Sequence, residues 1–319
     1  MKNQEETLIT EKYIRKNINF KSVGSTIVGH LYFPKDTDFS KKYPAIVAGG
    51  PMATIKEQSP GVFAKALAER GFIALAFDYR TFGESEGEPR QYEDPASKSE
   101  DILNAISFLV THKNVDSNRI GALGICNSSS YIADALQSDI RVKAFGTVSG
   151  HFSLREATVT NPLVPEEMRQ AMYAKSIESR QRYFESGVAE PDDMLMPDMH
   201  EAPPAEAGVF ICEQYDYYFR RREAEWPTYT NHLVPFSFGQ IARSHGLDYA
   251  GQIAIPYLGV VGEKAFTREF TERFIKAKTI GSGEIRIIKN GTHFSTYDKP
   301  EYVAEGADAL SAFFNKHLV

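Results

Sequence analysis

Cysteine is scarce in this chain. Its 319 residues include only two, Cys126 and Cys212, too few for a disulfide framework and in no spacing that suits a structural zinc. Such scarcity fits a reducing compartment, and a cytoplasmic location is the expectation. Positive charge is not in excess either. The net charge of −6 gives no general basic field to draw the protein to nucleic acid or to an anionic membrane. Long apolar runs are missing: nothing approaches the roughly 18 consecutive apolar residues of a membrane span. The first residues, Met1-Lys2-Asn3-Gln4-Glu5-Glu6-Thr7, are polar and acidic rather than signal-like. Internal repeats and low-complexity segments are absent as well. What is there has ordinary globular composition, 42% hydrophobic and 24% charged. The length permits one large α/β domain or two smaller ones.

Short apolar runs alternate with helical patterns over most of the chain. Tyr13 to Phe20 and Thr26 to Phe33 alternate apolar and polar residues, as half-buried antiparallel strands do. Tyr43 to Ala48, Phe72 to Phe77, Val142 to Val148, Ile255 to Val261 and Glu284 to Ile288 read as further strands, and the first four of these are continuously apolar enough to be buried on both faces. Helices are expected around Val62 to Ala68, Asp101 to Leu109, Phe266 to Ile275 and Tyr302 to His317. This rhythm predicts an α/β fold with a mostly parallel, doubly wound sheet, whose sites lie beyond the carboxyl ends of the strands. The rhythm breaks between 151 and 252, a stretch rich in Met, Pro, Tyr, Arg and Glu, with helical patches at Glu166 to Phe184 and Glu213 to Glu225. The expected organisation is therefore a core of 1–150 and 253–319 with a cap, 151–252, inserted over the strand ends. A separate small domain is the alternative.

One stretch organises the rest. Arg119-Ile120-Gly121-Ala122-Leu123-Gly124-Ile125-Cys126-Asn127-Ser128 is an apolar strand running into the helical pattern Ser129 to Leu136. A strand, a sharp turn and a helix with a nucleophile at the tip form a nucleophile elbow, with small residues two before and two after the nucleophile. Gly124 and Ser128 fill those places around Cys126. A thiol there gains from the helix start, which favours thiolate. The bland reading of Cys126 is a small buried core residue.

Two later loops supply partners. Glu263 follows one strand end and His293 the next, in the chain order nucleophile, acid, histidine. Cys126 would attack, His293 would carry the proton and Glu263 would orient the imidazole, with Asp298 the rival acid. The oxyanion of an acyl intermediate would take the N–H of Asn127 and that of Met52, because Pro51 has none. Tyr79 and Arg80, at a strand end, either face the pocket or brace the next loop. The aromatic residues Tyr215, Tyr217, Tyr218, Phe219 and Trp226 are either core or the lining of an apolar acyl site, and Tyr215, Tyr218 and Trp226 join Tyr79 as candidate substrate contacts. Cys212 reads as packing. Arg220-Arg221-Arg222 reads as a solvated helix face, with carboxylate binding the alternative.

Several pieces carry a family likeness in order: Gly49-Gly50-Pro51-Met52 with Lys56-Glu57-Gln58, Phe77-Asp78-Tyr79-Arg80 with Gly83-Glu84-Ser85-Glu86-Gly87, Gly124-Ile125-Cys126, and Gly291-Thr292-His293. At these residues the chain resembles the α/β-hydrolase superfamily, and within it the dienelactone-hydrolase-like branch with Cys at the elbow. Ser128 stands where that family usually has Gly, and Glu263 where many members have Asp. The resemblance implies hydrolysis of an ester, lactone or thioester through an acyl-cysteine, or transfer of a polyketide or fatty acyl group to an alcohol or amine. It implies no cofactor and no metal. The expected partners are a small-molecule acyl substrate and a second copy in a homodimer, with neither nucleic acid nor membrane. The competing class is a ligand-binding protein on an inactive hydrolase scaffold. A serine hydrolase using Ser128, Ser129 or Ser130 is weaker, since none sits at the centre of the elbow.

Overall fold

The computed structural model describes residues 6–158, 160, 164–193, 202–220, 226 and 228–319. Eleven strands are seen: β1 (Thr7–Ile9), β2 (Tyr13–Ser22), β3 (Ser25–Pro34), β4 (Tyr43–Gly49), β5 (Ile73–Phe77), β6 (Val115–Ile125), β7 (Val142–Val148), β8 (Asp192–Asp193), β9 (His232–Leu233), β10 (Tyr257–Gly262) and β11 (Gly283–Ile288). Nine of them form one sheet in the order β1-β2-β3-β5-β4-β6-β7-β10-β11. β1 to β3 are antiparallel, and β3 meets β5 antiparallel; from β5 to β11 every pairing is parallel. This is the mostly parallel sheet expected from the alternation of strands and helices.

The parallel strands β5 and β10 are apolar and buried throughout because both faces are covered, whereas β11 at the sheet edge carries Glu284 and Arg286 and is largely exposed. Successive side chains alternate between two cores. Val47 and Leu75 pack with Ile102, Ile106 and Leu109 of α2 (Pro95–Thr111), Tyr131 and Ile132 of α3 (Ser128–Ala135), and Phe274 of the helix Arg268–Ala277. Ile46, Ala48, Ala74 and Ala76 pack on the other side with Phe63 and Leu67 of α1 (Ser59–Ala68) and with Leu310 and Phe314 of the helix Pro300–His317. α2 begins earlier than its apolar face suggests, because Asp94 caps it by accepting from the Ala96 N–H and Pro95 opens it.

The described residues of 151–252 add no strand to the nine-stranded sheet. Their described parts hold α4 (Leu154–Thr158), α5 (Glu166–Ser186), the β8–β9 pair, and α6 (Val209–Tyr215), which widens into a π turn at Asp216–Arg220. The expected helix to Glu225 runs beyond Arg220 into residues outside the described ones, as do Arg221 and Arg222. Arg220 itself is exposed and pairs with Asp216 on the same turn, the solvated-face reading. No described helix is long and apolar enough to cross a membrane.

Candidate active site

The turn after β6 places Cys126 at φ +53°, a backbone region that side chains rarely adopt and that marks a functional turn. Strained residues recur at the neighbouring strand ends: Ala53 after β4, Ser149 after β7 and Asn290 after β11 all have positive φ. Gly124 is required here, since a Cβ on it would lie 2.7 Å from the Ser129 backbone. Ser128, the departure from the family pattern, has a structural use. Its hydroxyl donates to the Gly50 carbonyl and pairs with the Tyr79 hydroxyl at 2.6 Å. It thereby ties the elbow to the loop after β4. Tyr79 is fully buried in this brace.

Cys126 is 8% exposed. Its Sγ donates to Asn127 Oδ1 at 2.8 Å, and the same oxygen pairs with His151 Nδ1 at 3.1 Å. The Asn127 N–H faces the sulfur, and so does the Tyr297 hydroxyl. His151, from the segment after β7, packs edge-on against Phe266 and Phe270 and keeps its Nε2 buried without a partner. Residue type alone gave it no distinction from the other histidines.

His293 lies beyond β11, as expected, and is buried. Its Nε2 meets Tyr297 Oη at 2.6 Å and its Nδ1 meets Thr267 Oγ1 at 3.0 Å. Cys126 and His293 are therefore brought together around Tyr297. The acid is not brought with them. Exposed Glu263 accepts from the Asn290 N–H at 2.9 Å, which fastens the His293 loop without touching the ring. Asp298 lines a small cleft with Glu213, Asp216 and Lys299. The titratable neighbour that His293 feels is His151, not a carboxylate. At the ring's Nδ1 stands Thr267, four residues past Glu263 in the same loop, while the Glu263 carboxylate turns outward to the β11 turn.

Burial sets the charge state. It pushes the Cys126 thiol up to about 12, against the smaller help of Tyr297 and the Asn127 N–H. The expectation of a thiol eased toward thiolate by the helix start is thus reversed: desolvation exceeds what a partial helix charge offers. Burial likewise holds His293 well below its ordinary value and His151 down to about 4. Thiol and both imidazoles rest neutral.

An aromatic shelf covers the sulfur. Tyr218 stacks on Tyr229, and Tyr217 meets Tyr218, Trp226 and Tyr297. The Tyr217 hydroxyl accepts from the Ser59 N–H. Tyr218 lies close enough for Cys126 to raise its hydroxyl's pKa, with burial the larger cause. Tyr215 packs on Phe219, farther out. Cys212 is half-buried on α6. A cleft of about 320 Å³ opens beside Met52 instead, lined chiefly by Leu154, Met172, Leu233, Val234 and Ile241. None of the four predicted substrate contacts lines it.

The core loops are braced from behind by buried charge. Glu93 accepts from the Ala53 N–H, the Tyr131 hydroxyl and Lys98 Nζ, while Lys56 Nζ meets Asp78 at 2.8 Å. Both lysines and both of these carboxylates are out of solvent.

Protein PA2218 of Pseudomonas aeruginosa is 31% identical over 97% of this chain and 82% of its own length. Its crystal structure superposes with a TM-score of 0.86, covering 99% of this chain and 98% of that one. The α/β hydrolase GrgF from a Penicillium species has the same fold at 19% identity, with a TM-score of 0.77 over 95% of this chain and 99% of that one. This chain belongs to the α/β-hydrolase superfamily. Among other relatives of this hydrolase, the thiohydrolase aneE of Aspergillus aculeatus is 27% identical over 74% of this chain and 72% of its own length. No protein-family model matches the chain.

Proposed function

We propose that this hydrolase is a cysteine-dependent acyl hydrolase that forms an acyl-Cys126 intermediate from an ester, lactone or thioester. The observation carrying the reading is the thiol at the left-handed apex of a strand–turn–helix, with His293 one hydroxyl away. In the reaction, Cys126 Sγ attacks the acyl carbonyl as its proton passes toward His293. The oxyanion is received by the N–H groups of Asn127 and Met52. His293 then returns the proton to the leaving alcohol or thiol, and water repeats the sequence on the thioester. Thr267 holds the imidazole in the tautomer with its proton on Nδ1, the role usually given to an acid.

In the same reading residues 151–252 cap the site, and the apolar cleft beside Met52 takes the acyl chain. A second reading, acyl transfer to an alcohol or amine, is favoured by the burial of Cys126 under Tyr217, Tyr218 and Tyr297, which limits water at the thioester. Hydrolysis, by contrast, has the name thiohydrolase of one relative in its support. The test is turnover of activated aryl esters and acyl thioesters by the wild type and by Cys126→Ala. Loss of turnover in the variant is expected; unchanged turnover discards the nucleophile. Adding alcohols and amines and following ester or amide product separates transfer from hydrolysis.

A further inference from the structure

Tyr297 is the buried group at the centre of the site, and no motif singles it out. It sits four residues past His293 on the short helix Ser295–Asp298 and is fully buried. Its ring is held on three sides, by Tyr217 at 5.2 Å, Phe294 at 5.5 Å and His293 at 5.0 Å between centroids. The hydroxyl therefore has little freedom. On one side it meets His293 Nε2 at 2.6 Å, and on the other it faces Cys126 Sγ. In the tautomer that gives the Nδ1 proton of His293 to Thr267, Nε2 is the acceptor and Tyr297 the donor. The thiol donates to Asn127 Oδ1, and Tyr297 Oη is the other oxygen facing the sulfur.

We propose that the Tyr297 hydroxyl is a catalytic proton relay, through which Cys126 and His293 exchange a proton without touching. The inference rests on Cys126 being the nucleophile. As Sγ bonds to the acyl carbon and the carbonyl electron pair moves onto oxygen, the S–H proton passes to Tyr297 Oη. The tyrosine's own proton passes to His293 Nε2 in the same step. Tyrosine ends neutral, the imidazole is cationic and the tetrahedral adduct anionic, so charge balances. When the adduct collapses, the leaving group takes a proton from Tyr297 Oη, which is refilled from His293. Moving both protons together avoids a free thiolate or tyrosinate in a site that burial makes hostile to each.

The experiment compares wild type, Tyr297→Phe and Cys126→Ala on one activated thioester, with kcat, KM and a proton inventory in H2O/D2O mixtures. A relay predicts a bowed inventory in the wild type, with two protons in motion. It also predicts a fall in kcat on the order of 100-fold or more in Tyr297→Phe, with KM nearly unchanged and the remaining inventory linear. A merely structural tyrosine would lower melting temperature and raise KM without changing the inventory's shape. A linear wild-type inventory, or a Tyr297→Phe enzyme within about threefold of wild-type kcat, overturns the relay. Faster iodoacetamide labelling of Cys126 in that variant also overturns it, since the ring would then be a plug. If Cys126→Ala retains turnover, the nucleophile has failed instead, and the two failures are told apart. The wild-type inventory needs no variant to fold.

Discussion

The loops at the strand ends and the segment 151–252 are built on different physics. The loops are short and strained, and they are fixed by buried polar contacts: Ser128 to Gly50 and Tyr79, Glu93 to Ala53, and Ser149 to Thr296 beneath His293. The inserted segment is held by narrow apolar seams. On α5 only Ser176 and Ser179 are buried, and Tyr173 and Tyr183 bind it to Phe238 and Phe236, while Ile177 and Phe184 face solvent. The difference teaches that geometry for proton and acyl transfer is invested in the loops. In the proposed reading, shape for the substrate is left to the inserted segment.

Changes in the loops should cost far more than changes in the segment. His293→Ala is expected to lower kcat by about 10³- to 10⁴-fold while leaving the fold intact by circular dichroism. A variant within tenfold of wild type would remove His293 from the chemistry. Lys98→Met leaves Glu93 buried and uncompensated and should lower unfolding stability by about 3–5 kcal/mol. Arg182→Ala, which breaks the exposed α5 pair with Glu178, should change it by less than about 0.5 kcal/mol in the same denaturant titration. Equal losses would erase the distinction between the regions.

Ile241→Trp, which fills the cleft beside Met52, should alter kcat/KM by about 10- to 200-fold for long acyl chains and spare acetyl esters. A uniform loss across chain lengths would mean that the cleft is not the acyl site. The smallest effect belongs to Glu263→Ala. It removes only a contact to the Asn290 N–H, and kcat should stay within about threefold. A loss like that of His293→Ala would restore Glu263 to the acid role.

The thiol's pKa adds a check by pH. Held near 12 rather than 9, Cys126 is protonated at neutral pH, so less thiolate exists there than in an ordinary thiol. Its iodoacetamide labelling should be slow at neutral pH and still be rising at pH 10, read by peptide mass. A plateau near pH 8.5 would contradict the burial argument.

The strands, the elbow and the His293 loop were legible because they follow from periodicity, glycine placement and chain order. Gly124 and Cys126 mark a turn whatever lies around them. The partners of His293 were not legible. A threonine and a tyrosine carry no charge signal, and only the approach of the β10 and β11 loops decides that Thr267, not Glu263, meets the ring. Tyr79 and Trp226 read equally as packing or as lining, and the outcome depends on which way a half-helical segment settles. The cleft residues are scattered from Met52 to Ile241 and share no period.

The central claim is that an acyl group rests on Cys126 during turnover. Brief reaction with an activated acyl thioester, acid quench and intact-mass analysis reads it directly. The account predicts a mass gain of one acyl group, mapped by peptide digestion to Cys126 and lost in Cys126→Ala. An unmodified Cys126 during rapid turnover, or the same gain in the alanine variant, would contradict it.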